Sequence, residues 1–256
     1  MKINLNKNKS IGKVLYIVEG PKTEKFLLWK IFADIFDYQF EAITRSHPYQ
    51  IYNKKDNPYS KVFVINAAES NIKNIEKDDE FLNNLFIELI ENYDFDIDNA
   101  AIYYLFDRDV ESNTDPDFIK ELLNTLTNSR ENNENYRQGI LLLSYPSIES
   151  FTLSCFDGNS LSLKMKLGSE LKQYLNSNNF NHSQIDEKTL QFATNNLISS
   201  LLKINNGSFD IDNFRDLNNK IFDLEEANYS VESKYNCLSL LAISLIDLGL
   251  LEIEPQ

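Results

Sequence analysis

The sequence predicts an α/β protein, a parallel sheet flanked by helices and followed by a helical C-terminal region. Two observations carry this. Short, nearly uninterrupted apolar runs alternate with amphipathic stretches between residues 13 and 156, as expected of strands buried on both faces between covering helices. Beyond Gly158 apolar residues recur at helical spacing with no clear strand. The expected division is an α/β domain over 1–158 and a helical region over 159–256.

Residues 13–18 (KVLYIV) read as a buried strand stopped by Glu19-Gly20-Pro21. Thr23 opens a helix with Phe26, Leu27, Ile31, Phe32 and Ile35 on one face. Residues 38–60, polar and containing Pro48 and Pro58, read as loop. A second strand covers 61–67 and a helix 79–92, the latter from Phe81, Leu82, Leu85, Phe86, Leu89 and Ile90. The third strand, 100–106 (AAIYYLF), runs into Asp107-Arg108-Asp109. Asp115 is placed to cap the next helix, with Pro116 in its first turn. The fourth strand, 139–144, ends at Tyr145-Pro146-Ser147, and Ser147 is expected to cap a short helix carrying Ile148, Phe151, Thr152 and Leu153. Helices are expected near 160–177, 186–205, 214–228 and 235–249.

The apolar share, 42%, is that of a globular chain rather than a disordered one. A net charge of −14 excludes a protein that coats nucleic acid, because neutralising phosphates requires Lys and Arg. Two distant cysteines, Cys155 and Cys237, and two histidines, His47 and His182, argue against zinc and disulfides, and both histidines read as surface residues. No signal-peptide core or membrane-spanning run is present, so a cytoplasmic location is expected.

Ligands of open parallel sheets bind beyond the carboxyl ends of the strands. Glu19 ends the first strand, Asp107 and Asp109 follow the third, and Glu149 lies past the fourth. At i and i+2 the two Asp side chains of a strand end point to one side, toward one cation. Carboxylates alone suit Mg²⁺ or Mn²⁺. A second ion would be held by Glu19 with Glu24 or Glu149; alternatively Glu19 is a general acid or base. Gly20 permits close approach to substrate. Thr23 and the amides of the helix start would receive a phosphate oxygen, with Lys22 and Lys25 adding positive charge. Taken singly, each piece is ordinary: an Asp at a strand end usually makes a turn, Glu24 suits a helix's first turn, and Arg108 is as well explained by pairing with a carboxylate as by binding phosphate.

Val18-Glu19-Gly20-Pro21-Lys22-Thr23-Glu24, followed by Phe26-Leu27, resembles the first motif of Toprim domains, which occur in topoisomerases, DnaG-type primases and OLD-family nucleases. Tyr104-Leu105-Phe106-Asp107-Arg108-Asp109 resembles the Toprim DxD motif. The EGxxTE form and Ser144-Tyr145-Pro146-Ser147-Ile148-Glu149-Ser150-Phe151 are similar to RloB-type Toprim proteins of phage-defence loci. The resemblance covers roughly residues 13–156. It implies a Rossmann-like Toprim fold and a metal-dependent endonuclease, with Glu19, Asp107 and Asp109 as catalytic metal ligands and Glu149 as a further catalytic residue. From the residues themselves, Gly20, Lys22, Thr23 and Arg108 are candidates to lie near a substrate phosphate. OLD nucleases also use a later Lys, for which Lys164, Lys166 and Lys172 are candidates. The expected activity is cleavage of DNA or RNA, tRNA included, in anti-phage defence, with abortive infection as the outcome. Regulation by a partner ATPase or other defence subunit, or by a homodimer, is expected. The alternative is a catalytically silent regulatory subunit on the same fold.

Overall fold

The computed structural model describes residues 2–20, 22–42, 49–66, 79–131 and 138–254. Pro21, His47, Pro48 and Ala67 lie outside the described residues, as do the side chains of Phe81, Leu82 and Leu85. Along the chain, β1 (Lys2–Leu5) precedes β2 (Lys13–Val18), the first apolar run. Helix α1 (Thr23–Trp29) continues as a π-helical segment, Lys30–Ile35. Strands β3 (Tyr38–Ala42), β4 (Gln50–Lys54) and β5 (Asn57–Asn66) follow, then α2 (Asp79–Tyr93) and β6 (Ala101–Asp107). After these come α3 (Pro116–Thr125), β7 (Thr127–Asn128), β8 (Gly139–Tyr145) and α4 (Glu149–Phe156). The remainder holds β9 (Lys164–Met165), α5 (Gly168–Ser177), α6 (Glu187–Ile204) and α7 (Phe214–Glu232). It ends with β10 (Tyr235–Asn236), β11 (Leu238–Ser239), α8 (Leu241–Asp247) and β12 (Leu251–Glu254).

The main sheet is mixed, with a parallel centre flanked by helices. Its order is β11-β8-β6-β2-β5-β4-β3, with β7 also pairing β8. β5, β2, β6 and β8 run parallel, and the edges formed by β3, β4, β7 and β11 are antiparallel. The parallel strands are the four apolar runs, and their interiors are buried, because helices cover a parallel sheet on both sides. On α3, Asp115 Oδ1 accepts from Phe118 N at 3.1 Å, the expected cap.

Residues 38–60 differ from expectation. Their described parts, 38–42 and 49–60, hold β3, β4 and the start of β5 rather than a loop. β3 pairs only with β4 among the described residues, and its Phe40 is exposed. An edge strand wetted on one side has a polar sequence that reads as loop. The C-terminal segment also carries strands. Residues 235–249, expected as one helix, begin as β10 and β11, and only Leu241–Asp247 is helical. Pairing decides this: Tyr235 faces Met165 and Leu238 faces Tyr145, partners that local propensity does not see. Cys237 accordingly sits between two strands, whereas Cys155 lies on α4; both are buried and free. β12 pairs β1, Ile253 facing Ile3. One buried cluster extends from Ile3 to Leu251 and takes in α6, α7 and α8 along with the sheet.

Candidate active site

From β2 the chain moves outward to β5, then returns to the opposite side of β2 to lay down β6. The carboxyl ends of β2 and β6 therefore flank the reversal of strand order, where open α/β sheets leave a crevice. A pocket of about 330 Å³ opens there. Its walls include Glu19 just after β2, Asp107 at the end of β6, Glu149 at the start of α4 and Glu24 in the first turn of α1. Three expected residues, Glu19, Asp107 and Glu149, are thus brought together by neighbouring strands.

The carboxylates cross-tie those strand ends. Glu19 Oε2 accepts from Asp107 N at 2.8 Å, and Asp107 Oδ1 accepts from Ile148 N at 2.7 Å. Glu149 accepts from Thr23 Oγ1 at 3.3 Å and from Ser147 Oγ at 2.7 Å. Ser147 therefore serves the carboxylate and not the expected helix cap, which has no side-chain hydrogen bond. Glu24 Oε1 accepts from Gly20 N at 2.9 Å, and a Cβ on Gly20 would overlap that carboxylate. A side chain at residue 20 would therefore displace the Glu24 carboxylate.

Burial and mutual repulsion hold Glu19, Asp107 and Glu24 toward their neutral forms. Loss of water is the first cause for Glu19, raised to about 7; the amide of Asp107 opposes it, and the charges of Glu24 and Asp109 add to it. Asp107 is held well above the usual aspartate range by burial, then by Glu19, Glu24 and Glu149. Glu24 is raised by burial and by Glu149. An enclosed group of carboxylates with raised proton affinity is a site that a cation would relieve.

Asp109 does not line this pocket. The strand ends at Asp107, and Asp109 turns back so that its Oδ1 accepts from Glu111 N at 2.9 Å, the ordinary turn role. The extended backbone ends at Asp107, two residues before Asp109, yet the charge of Asp109 still acts on Glu19. Arg108 also leaves the site. Its Nε and Nη2 donate to Glu226 Oε1 and Oε2 at 2.7 and 2.9 Å, and Nη1 donates to Asn113 O at 2.7 Å. Its guanidinium, 2% exposed as a residue, lies beside the Phe222 and Tyr235 rings and cannot reach a phosphate in the pocket. Gly20, Lys22 and Thr23 do line the pocket. Lys25 is half-buried and does not.

Among the three candidate lysines the structure singles out Lys172. It lines the pocket, with Nζ 3.3 Å from Glu149 Oε1, whereas Lys164 pairs with Glu232 and Lys166 is exposed. Gly168 lets α5 approach: a Cβ there would stand 2.8 Å from Ser147 Oγ. His182, expected on the surface, is half-buried near the pocket, and Thr152 Oγ1 lies 3.5 Å from its Nδ1. Asn113, buried, was not anticipated; its Nδ2 donates to Asp107 O at 2.8 Å. Nothing local marks Lys172, Asn113 or Glu226 in sequence, since their partners are fixed by the fold.

The pocket's four carboxylates are the ligand type that a hard divalent ion takes, although Lys22 and Lys172 share its wall. Among the described residues, however, no three acidic, His or Cys side chains already stand close enough to hold one. An ion would take one or two carboxylates, with water and substrate phosphate completing its shell, the usual Mg²⁺ habit. Among the described residues no helix is long and apolar enough to cross a membrane. Compared with protein-family models, curated proteins and solved structures, the chain matches none.

Proposed function

We propose that this protein is a Mg²⁺- or Mn²⁺-dependent nuclease of the Toprim kind, hydrolysing phosphodiesters of DNA or RNA. The observation that supports this best is the convergence of Glu19, Asp107 and Glu149 on one pocket at the reversal of strand order. A bound cation would stabilise charge on the phosphodiester and lower the pKa of a bound water. Glu19 and Asp107 are the residues to hold it, with Asp109 adding charge from outside the pocket. Glu149, steadied by Ser147 and Lys172, faces them across the pocket. Thr23, Gly20 and Lys22 form the rim on which substrate phosphate rests. The acidity of the chain favours delivery of substrate by a partner ATPase or another subunit, in a cytoplasmic defence role. With Mg²⁺ or Mn²⁺, and the partner where needed, the protein is expected to nick plasmid or cleave RNA. Asp107→Ala and Glu19→Ala should lose more than the roughly 10–100-fold typical of outer-shell changes; activity equal to the parent protein would remove the proposal.

A second reading, a silent regulatory subunit, is favoured by the main-chain amides that already engage Glu19, Asp107 and Glu24. Calorimetric titration with Mn²⁺ separates the two: the silent reading expects no heat of binding that Asp107→Ala abolishes.

A further inference from the structure

Helical spacing assigns Phe26 to the buried stripe of α1, yet it keeps 37% of its surface exposed while Leu27, Leu28, Ile31 and Phe32 are fully buried. It is joined by two other rings. The Trp29 ring centroid lies 5.7 Å from that of Phe26, and the His182 centroid 5.6 Å. Resting on the nuclease reading of the adjacent pocket, we propose that Phe26, Trp29 and His182 form a stacking platform for an unpaired nucleobase beside the phosphodiester to be cut. The substrate class would then be single-stranded or locally unpaired nucleic acid.

The platform is tied to the same helix starts that build the pocket. Phe26 follows Thr23 by three residues on α1, and Thr152, which contacts His182, follows Glu149 by three on α4; Thr23 and Glu149 are hydrogen-bonded to each other. Positions three apart lie on one helix face, about 4.5 Å along the axis. That is the scale of one nucleotide, whose step is about 3.4 Å along the axis of a stacked duplex and longer in an extended single strand. A phosphate at Thr23 and a base on Phe26 therefore belong to the same or adjoining nucleotides. Lys22 is exposed at the pocket rim between them and solvent. Burial lowers the pKa of His182, against the pull of Glu149, so the ring is a neutral imidazole near pH 7. The chain's charge of −14 gives it little electrostatic affinity for a phosphate backbone. Stacking on aromatic rings needs no charge and accepts any base. A base within a duplex would have to be extruded first.

Trp29 is the only tryptophan of the chain, so its fluorescence reports directly on the platform. The whole protein would be titrated, in Ca²⁺ to support binding, with a short single-stranded oligonucleotide and with an abasic strand of equal length. Quenching by the intact strand is expected, with affinity about tenfold above that of the abasic strand. Phe26→Ala should erase the preference, binding both strands equally, and Phe26→Tyr should keep it. Equal binding of the two strands by the parent protein, a preference surviving in Phe26→Ala, or no binding of either strand would overturn the platform. Cleavage assays with Mg²⁺ on the same samples separate the two ideas. Cutting without base preference defeats the platform alone, and base preference without cutting defeats the nuclease reading alone.

Discussion

Glu19 gives up most of its water when it folds beneath the pocket, and that cost appears as a proton held to about pH 7. A carboxylate raised in the folded state stabilises the fold fully below its unfolded pKa of 4.5 and loses that contribution as pH rises through 7. The metal-free protein should therefore melt at progressively lower temperature from pH 5 to pH 8. Glu19→Gln, which still accepts from the Asp107 amide, should flatten the profile and gain about 3 kcal/mol at pH 8. A profile unchanged by the substitution in thermal melts would contradict this. Arg108 makes an opposite case. Glu226→Ala strands a buried guanidinium and should cost about 3–5 kcal/mol in urea titration. Replacing both partners by Met should restore most of that and leave any cleavage activity intact, since Arg108 faces away from the pocket. Glu19, Asp107 and Glu149 stood out in the sequence because each lies at or just past the end of a strand legible by its own apolar run. The sequence did not spell out that Asp109 bonds the Glu111 amide or that Arg108 is claimed by Glu226, because the first depends on the residue at which pairing stops and the second on a partner 118 positions distant.

At the level of elements, α1 enters the pocket without a side-chain cap, and its first turn carries the buried Glu24 against Gly20. Gly20→Ala should push the Glu24 carboxylate aside, costing about 1–3 kcal/mol as an overpacked contact. Metal titration of the same variant should show weakened binding if Glu24 contributes to the ion's field. The four parallel strands were legible because burial on both faces writes itself as continuous Val, Ile, Leu and Tyr. β3 and β4 were not, since strands near an edge alternate weakly. β10 and β11 were not either, being pairs of residues made extended only by Met165, Lys164, Tyr145 and Ser144 across from them.

Across the whole molecule, one buried cluster joins segments on both sides of residue 158. Unfolding should accordingly be a single transition: Trp29 fluorescence and far-ultraviolet circular dichroism should trace the same curve in urea, and two separated midpoints would show that the C-terminal helices melt independently. The edge position of β11 carries a consequence for biosynthesis. Leu240 N donates to Leu143 O, and the Ser144 and Ser239 hydroxyls lie 2.8 Å apart, so the strand leading to Glu149 is finished by residues made almost a hundred codons later. Lys172 and Glu226 are late arrivals too. The strand beside the acidic crevice gains its last pairing partner only once the ribosome has translated past residue 239.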